Sequence, residues 1–204
     1  AGRIRSGERA HVPRLDPIEE SRDTTHICAA DEAGNVVTMT PSLGMPSGVI
    51  SPGLGFMYNG CMGVFDPRPG RADSIEPGKS RFSSICPSIV FEDDKPALVI
   101  GAPGGTQIAM GVLQGILNVI DHGMSVSDAV GAPRFSSTSD AIDVCNRIPV
   151  YVTDELEQAG YSVVRSPLSH TFAWVHAIAI DGEVVTGGAD PGADGMALAV
   201  PRCS

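Results

Sequence analysis

Asp23-Thr24-Thr25-His26 stands where the chain changes character. Residues 1–23 are charged and proline-studded, whereas residues 26–40 read as a strand, a short turn and a second strand. A hydroxyl residue at the head of a strand, behind a removable leader, can be stored as a nucleophile. Cutting the Asp23–Thr24 bond would give Thr24 a free amine able to act as its own base. A free α-amine titrates at about 7.7–8.0, so part of it is neutral at pH 7 and no histidine is needed. The same position also suits an ordinary strand-edge threonine. Two other groups carry chemistry. Gly101-Ala102-Pro103-Gly104-Gly105-Thr106 joins an apolar strand to a helix. It lacks the Lys-Ser/Thr pair of a phosphate loop. Its adjacent glycine N–H groups could hold a tetrahedral oxyanion, or could simply make a tight strand–helix turn. Ser83-Ser84, at the entrance of a strand, could bind a carboxylate or cap a turn. No Gly-x-Ser-x-Gly elbow competes for the role of nucleophile.

The elements that must position these residues are read from periodicity. Residues 26–31 and 36–40 read as a hairpin, and 86–91 with 97–101 as a second one around Glu92-Asp93-Asp94-Lys95. Residues 41–82 are rich in Gly, Pro and Ser without long periodicity, as expected of a functional surface. Ile108, Val112, Leu113, Ile116, Leu117 and Ile120 recur at helical spacing, predicting a helix over 107–122 stopped by Gly123. Ser125-x-x-Asp128 opens a short second helix that Pro133 ends, and a third is expected at about 154–159. Strands are expected near 161–165, 174–180 and 183–187. This order suggests sheets inside and helices outside.

Composition bounds the function. The length of 204 residues fits one compact domain. A net charge of −10 argues against a nucleic-acid partner, because phosphate binding requires a basic face. No apolar run approaches the roughly 20 residues of a membrane span. No His, Cys or carboxylate group has metal-ligand spacing, so neither a metal nor another cofactor is expected. Cys28, Cys61, Cys86, Cys145 and Cys203 are scattered, which reads as buried reduced thiols and leans towards the cytoplasm. A periplasmic location would require a signal on a preceding segment.

In chain order the motifs are Thr24-Thr25-His26, Asp31–Asn35, Val36–Thr40, Ser42, Arg81–Pro87, Gly101–Gly105, Ala132–Phe135 and Asp190-Pro191. Together they resemble the gamma-glutamyltransferase (gamma-glutamyltranspeptidase) family over nearly the whole chain. The resemblance implies an α+β fold, the N-terminal-nucleophile hydrolase αββα sandwich. Residues 1–23 would be the end of the large subunit or pro-segment, and 24–204 the catalytic small-subunit domain. The precursor would cleave itself between Asp23 and Thr24, a zymogen becoming a heterodimer. Thr24 would then attack an amide carbonyl, and water or an acceptor amine would resolve the acyl-enzyme. Thr40 and Ser42 would orient the Thr24 amine and hydroxyl. Gly104 and Gly105 would form the oxyanion hole. Ser83 and Ser84 would contact the carboxylate of the acyl group. The partners would be a large subunit from the same precursor and a small-molecule amide.

The substrate pocket departs from the family. Its asparagine falls at Gly44, its glutamine at Cys61, its aspartate at Val64 and its late arginine at Gly192. Val64 cannot pair with a substrate α-ammonium, and leaving such a buried charge unpaired costs about 3–5 kcal/mol; Asp66 is the nearby substitute. The first expectation is therefore an acyl amide with a carboxylate but no α-ammonium, oxamate- or glutaryl-like. The alternative is an ordinary gamma-glutamyl hydrolase/transferase on glutathione-type substrates. An alternative of another class is an unprocessed or non-catalytic scaffold subunit.

Overall fold

The computed structural model describes residues 23–137 and 139–200. The pro-segment expected over 1–23 lies outside them except for Asp23.

Strands β1 (Ile27–Ala30) and β2 (Val36–Met39) form the first hairpin, turned at Asp31, whose carboxylate accepts from the backbone and side chain of Asn35 at 2.8 Å each. β3 (Pro46–Ile50) and β4 (Met57–Asn59) form a second hairpin, followed by a 3-10 turn at Cys61–Val64. Both lie in the stretch read as irregular; the five glycine and proline residues of 46–59 mask any alternation. β5 (Ser88–Glu92) and β6 (Lys95–Gly101) pair as expected. Helix α1 (Ile108–Ile120) and helix α2 (Val126–Gly131) come next, the latter capped by Ser125, whose hydroxyl accepts from the Asp128 N–H at 3.1 Å. β7 (Phe135–Ser136) and β8 (Ala141–Val144) are too short for a periodic signal. α3 (Val150–Gln158) starts four residues before its expected position, because Pro149 at φ −59° already sets the helical entry. β9 (Ser162–Arg165), β10 (His176–Asp181) and β11 (Val184–Ala189) complete the chain of elements.

The central sheet runs β11-β10-β6-β5, antiparallel throughout. Helices α1 and α2 pack on one face of it, and the β1–β2 hairpin packs on the other. A separate sheet, β7-β8-β9, contains the parallel β8–α3–β9 unit. The core lies between the central sheet and α1–α2, where Leu98, Ile100, Ile108, Val112, Val130 and Val175 are almost wholly buried.

α1 does not present the face its large residues suggest. Leu113, Leu117 and Ile120 are exposed, whereas Ile108, Gly111, Val112 and Gly115 face inward. A Cβ at Gly115 would sit 2.7 Å from Ile100, and one at Gly111 would sit 2.9 Å from the Ala173 Cβ. The helix is drawn against the sheet through its glycines, and this fixes the 172–175 segment that supports the site. Among the described residues no helix is long and apolar enough to cross a membrane.

Candidate active site

The β1–β2 hairpin continues past its named ends in unbroken register. Thr24 pairs with Ser42, Thr25 N–H donates to Pro41 O at 3.1 Å, and Leu43 N–H donates to Asp23 O at 3.1 Å. Thr24 and Ser42 therefore form a non-hydrogen-bonded pair, the kind that brings side chains closest. Their hydroxyl oxygens lie 2.7 Å apart. Ser42 Oγ also accepts from the Gly44 N–H at 2.9 Å. Alternation along the two strands puts Thr24, His26 and Cys28 beside Thr38, Thr40 and Ser42 on the face towards the central sheet. The opposite face carries Ile27, Val37 and Met39, each about half exposed.

His26 organises the inner face. It lies flat against Gly101, where a Cβ would come within 2.1 Å of the ring. Its Nδ1 is 2.8 Å from Thr40 Oγ1, and its Nε2 is 3.2 Å from both Thr38 Oγ1 and Cys28 Sγ. Thr38 spends its single proton on Ile100 O at 3.1 Å, so it accepts from His26 Nε2–H. Nδ1 is then the acceptor, and Thr40 donates to it. Burial, with the neighbouring His176, pushes the His26 pKa down to about 4, so the ring is neutral at pH 7. Burial likewise raises the Cys28 thiol to about 11, which makes it inert. The Thr40 hydroxyl proton, expected to help orient Thr24, is engaged by His26, and its lone pairs remain. Sequence reasoning assigned His26 no part; its spacing of two from Thr24 was the available signal, because it places both on one strand face.

Gly104 and Gly105 follow Pro103, which lines the same cavity as Thr24, Thr25 and Trp174. Among the described residues neither glycine N–H has a hydrogen-bond partner. The loop is locked from behind. Trp174 N–H donates to Pro103 O at 3.0 Å, and Gly104, at φ +139°, lies so close to Ala173 that a Cβ would meet its Cα at 2.4 Å. Phe172 and Ala173 themselves hold positive φ. Ser84 donates to Gly105 O at 2.5 Å, which fixes the second peptide of the loop. With its one proton used there, Ser84 offers a substrate carboxylate no donor in this arrangement; Ser83 is exposed and its oxygen accepts from Ile85 N–H at 3.3 Å.

Of the expected pocket residues, Gly44 and Cys61 meet: a Cβ on Gly44 would sit 2.9 Å from Cys61 Sγ. Val64 is exposed at the end of the 3-10 turn. Asp66 is not a free substitute for the missing aspartate. Its carboxylate is held by Arg68 at 2.7 Å and Arg71 at 3.4 Å, and hydrogen bonding from Arg68 lowers its pKa. At Gly192 a Cβ would fall 2.3 Å from the His170 Cβ, so an arginine has no room there. Asp190, before it, is wholly buried, paired with Arg134, and accepts the N–H of Val175 and of Gly192 at 3.3 and 2.8 Å. The Asp190-Pro191 motif is thus a staple that ties the end of β11 to the 172–175 segment.

Comparison with known proteins agrees with this geometry. Residues 5–200 match the Gamma-glutamyltranspeptidase family. The chain is 40% identical over 184 residues to the Acylase ACY 1 proenzyme of Pseudomonas sp. (strain V22), covering 89% of this chain and 33% of that protein. It is 35% identical over 193 residues to the Glutathione hydrolase proenzyme of Bacillus subtilis (strain 168), covering 90% and 32%. The chain thus spans about a third of the length of these curated relatives. Among solved structures, gamma-glutamyltranspeptidase from Pseudomonas nitroreducens complexed with L-DON superposes with a TM-score of 0.75 at 32% identity, over 87% of this chain and 100% of that one. The fold is accordingly that of the αββα N-terminal-nucleophile sandwich. Of that sandwich the described residues show the central sheet with α1 and α2 on one face and the β1–β2 hairpin on the other.

Proposed function

The chain belongs to the gamma-glutamyltranspeptidase family, and on that premise we propose that it is the nucleophile-bearing part of a self-processing amide hydrolase and acyltransferase. The observation that carries this reading is the Thr24–Ser42 hydroxyl pair at 2.7 Å, at the bond to be cut and in a cavity that Pro103 of the glycine loop also lines. After cleavage the Thr24 amine takes the hydroxyl proton, and the oxygen attacks the substrate amide carbon. The oxyanion is received by the Gly104 and Gly105 N–H groups. The leaving amine departs protonated, and water or a second amine frees the acyl group. Thr40, its proton committed to His26, presents only lone pairs, which suits it to hold the Thr24 ammonium form. A hydroxyl pair at the expected cut and a glycine loop on the same cavity argue against the scaffold alternative.

Both curated relatives are proenzymes, which supports a companion large subunit from the same precursor. The half-exposed apolar face of Ile27, Val37 and Met39 supplies a surface for it. For the substrate, the glutathione hydrolases and gamma-glutamyltranspeptidases among the relatives favour gamma-glutamyl amides. A second reading, a carboxylate-bearing acyl amide without an α-ammonium, is favoured by Val64, by the engagement of Asp66 and by the likeness to an acylase proenzyme.

The test has two parts. Intact-mass measurement should find a species beginning at Thr24, and its absence after long incubation would overturn self-processing. The processed protein is then assayed with gamma-glutamyl-, glutaryl- and oxamyl-p-nitroanilide. Fastest release from the gamma-glutamyl compound supports the first substrate class. A preference of tenfold or more for either of the others overturns it in favour of the second.

A further inference from the structure

The carbonyl of the Asp23–Thr24 peptide, the bond to be cut, has a partner of its own. Leu43 N–H donates to Asp23 O at 3.1 Å. Elsewhere in the hairpin such a bond is one rung of a ladder; here its acceptor is the oxygen on which negative charge must develop when Thr24 attacks the preceding carbonyl. The Leu43 peptide is held on both sides. Ser42 is fixed by its pairing with Thr24, and Gly44 turns the chain at φ +68°. Gly60 N–H then clamps Leu43 O at 3.0 Å and Met45 O at 2.6 Å. A donor positioned by three separate constraints costs no reorganisation as charge develops.

We propose that the backbone N–H of Leu43 is the oxyanion donor of self-cleavage, a site distinct from the Gly104–Gly105 pair assigned to turnover. This rests on the self-processing reading above. Thr24 Oγ1 forms a bond to the Asp23 carbonyl carbon, and the carbonyl electron pair moves onto oxygen, where Leu43 N–H receives it. The hydroxyl proton passes to Ser42 Oγ. That oxygen has Gly44 N–H on one lone pair and Thr24 on the other, so the proton it gives up is its own. This proton goes to the Thr24 nitrogen as the C–N bond breaks. The product is an ester of the Asp23 carboxyl on the Thr24 oxygen, with the amine free. Water hydrolyses the ester, leaving Asp23 as a carboxylic acid and Thr24 armed. Cleavage removes the leader from the Leu43 donor, so one N–H acts once in the life of each molecule.

The experiment replaces the Leu43 amide by an ester, through incorporation of the α-hydroxy analogue of leucine in the full-length protein. This deletes the N–H and keeps the side chain. The same exchange at Met39, which faces Ile27 in the same hairpin, deletes a ladder N–H away from the cut. Cleavage is followed by intact mass, and folding by thermal unfolding. Loss of one oxyanion donor predicts cleavage roughly 100- to 1,000-fold slower with the Leu43 ester than with the Met39 ester, at similar unfolding temperatures. Equal cleavage rates in the two would overturn the assignment. A wild-type protein that never cuts at Asp23–Thr24 would overturn the self-processing reading itself, and the Leu43 assignment with it.

Discussion

Ser42→Ala tests the centre of the site. The substitution removes one oxygen with two jobs: pairing with Thr24 Oγ1 at 2.7 Å and accepting Gly44 N–H at 2.9 Å. The second loss affects stability. Gly44 is half-buried, so its stranded N–H lies at the lower end of the cost of an unmade hydrogen bond, about 1–2 kcal/mol. For a domain of this size that is a fall of roughly 2–8 °C in Tm. The first loss affects rate. Thr24 Oγ1 carries partial negative charge as it gives up its proton, and a hydrogen bond to a charged partner is worth about 1.5–3 kcal/mol. Each 1.36 kcal/mol is tenfold, so self-cleavage and subsequent turnover should both slow by roughly 10- to 150-fold. Ser42→Thr keeps the hydroxyl and should recover both rates to within about threefold. Cleavage is timed by gel densitometry at several temperatures below Tm, and turnover is normalised to processed protein. Ser42→Ala reacting at the wild-type rate would refute the role of Ser42. So would Ser42→Thr failing as badly as Ser42→Ala, since the hydroxyl would then not be what matters.

Three other outcomes are expected from the geometry. Gly104→Ala puts a Cβ 2.4 Å from the Ala173 Cα at a φ that L residues avoid, so the loop must shift; kcat should fall about 100-fold with KM changed little, and an unaltered kcat would remove Gly104 from the oxyanion hole. Asp190→Asn leaves Arg134 buried without its countercharge, and the expected loss of about 3–5 kcal/mol should lower Tm by at least 6 °C, a shift that thermal denaturation resolves. For His26, burial holds the folded pKa near 4 against about 6.5 in the unfolded chain. The unfolded state therefore binds the extra proton between those values. The stability is full above pH 6.5 and is lost as pH falls towards 4, by up to about 3 kcal/mol. Urea midpoints measured at pH 7.5 and 4.5 should show it, and a His26→Asn variant should lack most of the difference.

What was legible in the sequence and what was not divide along physical lines. The hairpin was legible because its turn residues and its two β-rich runs are local. So was the candidate nucleophile, since its position at a strand head is a one-dimensional fact. The direction of the hairpin faces was not. Alternation separates Ile27, Val37 and Met39 from Thr24, His26 and Thr40, and the ordinary inference buries the apolar set. Here the polar set turns inward, because hydroxyls and an imidazole satisfy one another against the carbonyl of Ile100 and the bare backbone of Gly101. α1 misleads for a related reason. Its large residues mark an apolar stripe, yet Gly111 and Gly115 decide which side approaches the sheet, and a glycine adds almost nothing to a hydrophobic pattern. The supports of the glycine loop were invisible for a third reason: Ser84 reaches Gly105 across 21 residues, and Arg134 reaches Asp190 across 56. Each of these hidden features is a close approach that only a missing side chain or a distant partner permits, and each fixes either the hairpin that carries Thr24 or the glycine loop. The chemistry can be read from residue types because nucleophiles and donors are few. Its precision cannot, because that comes from contacts made by residues with no chemistry of their own.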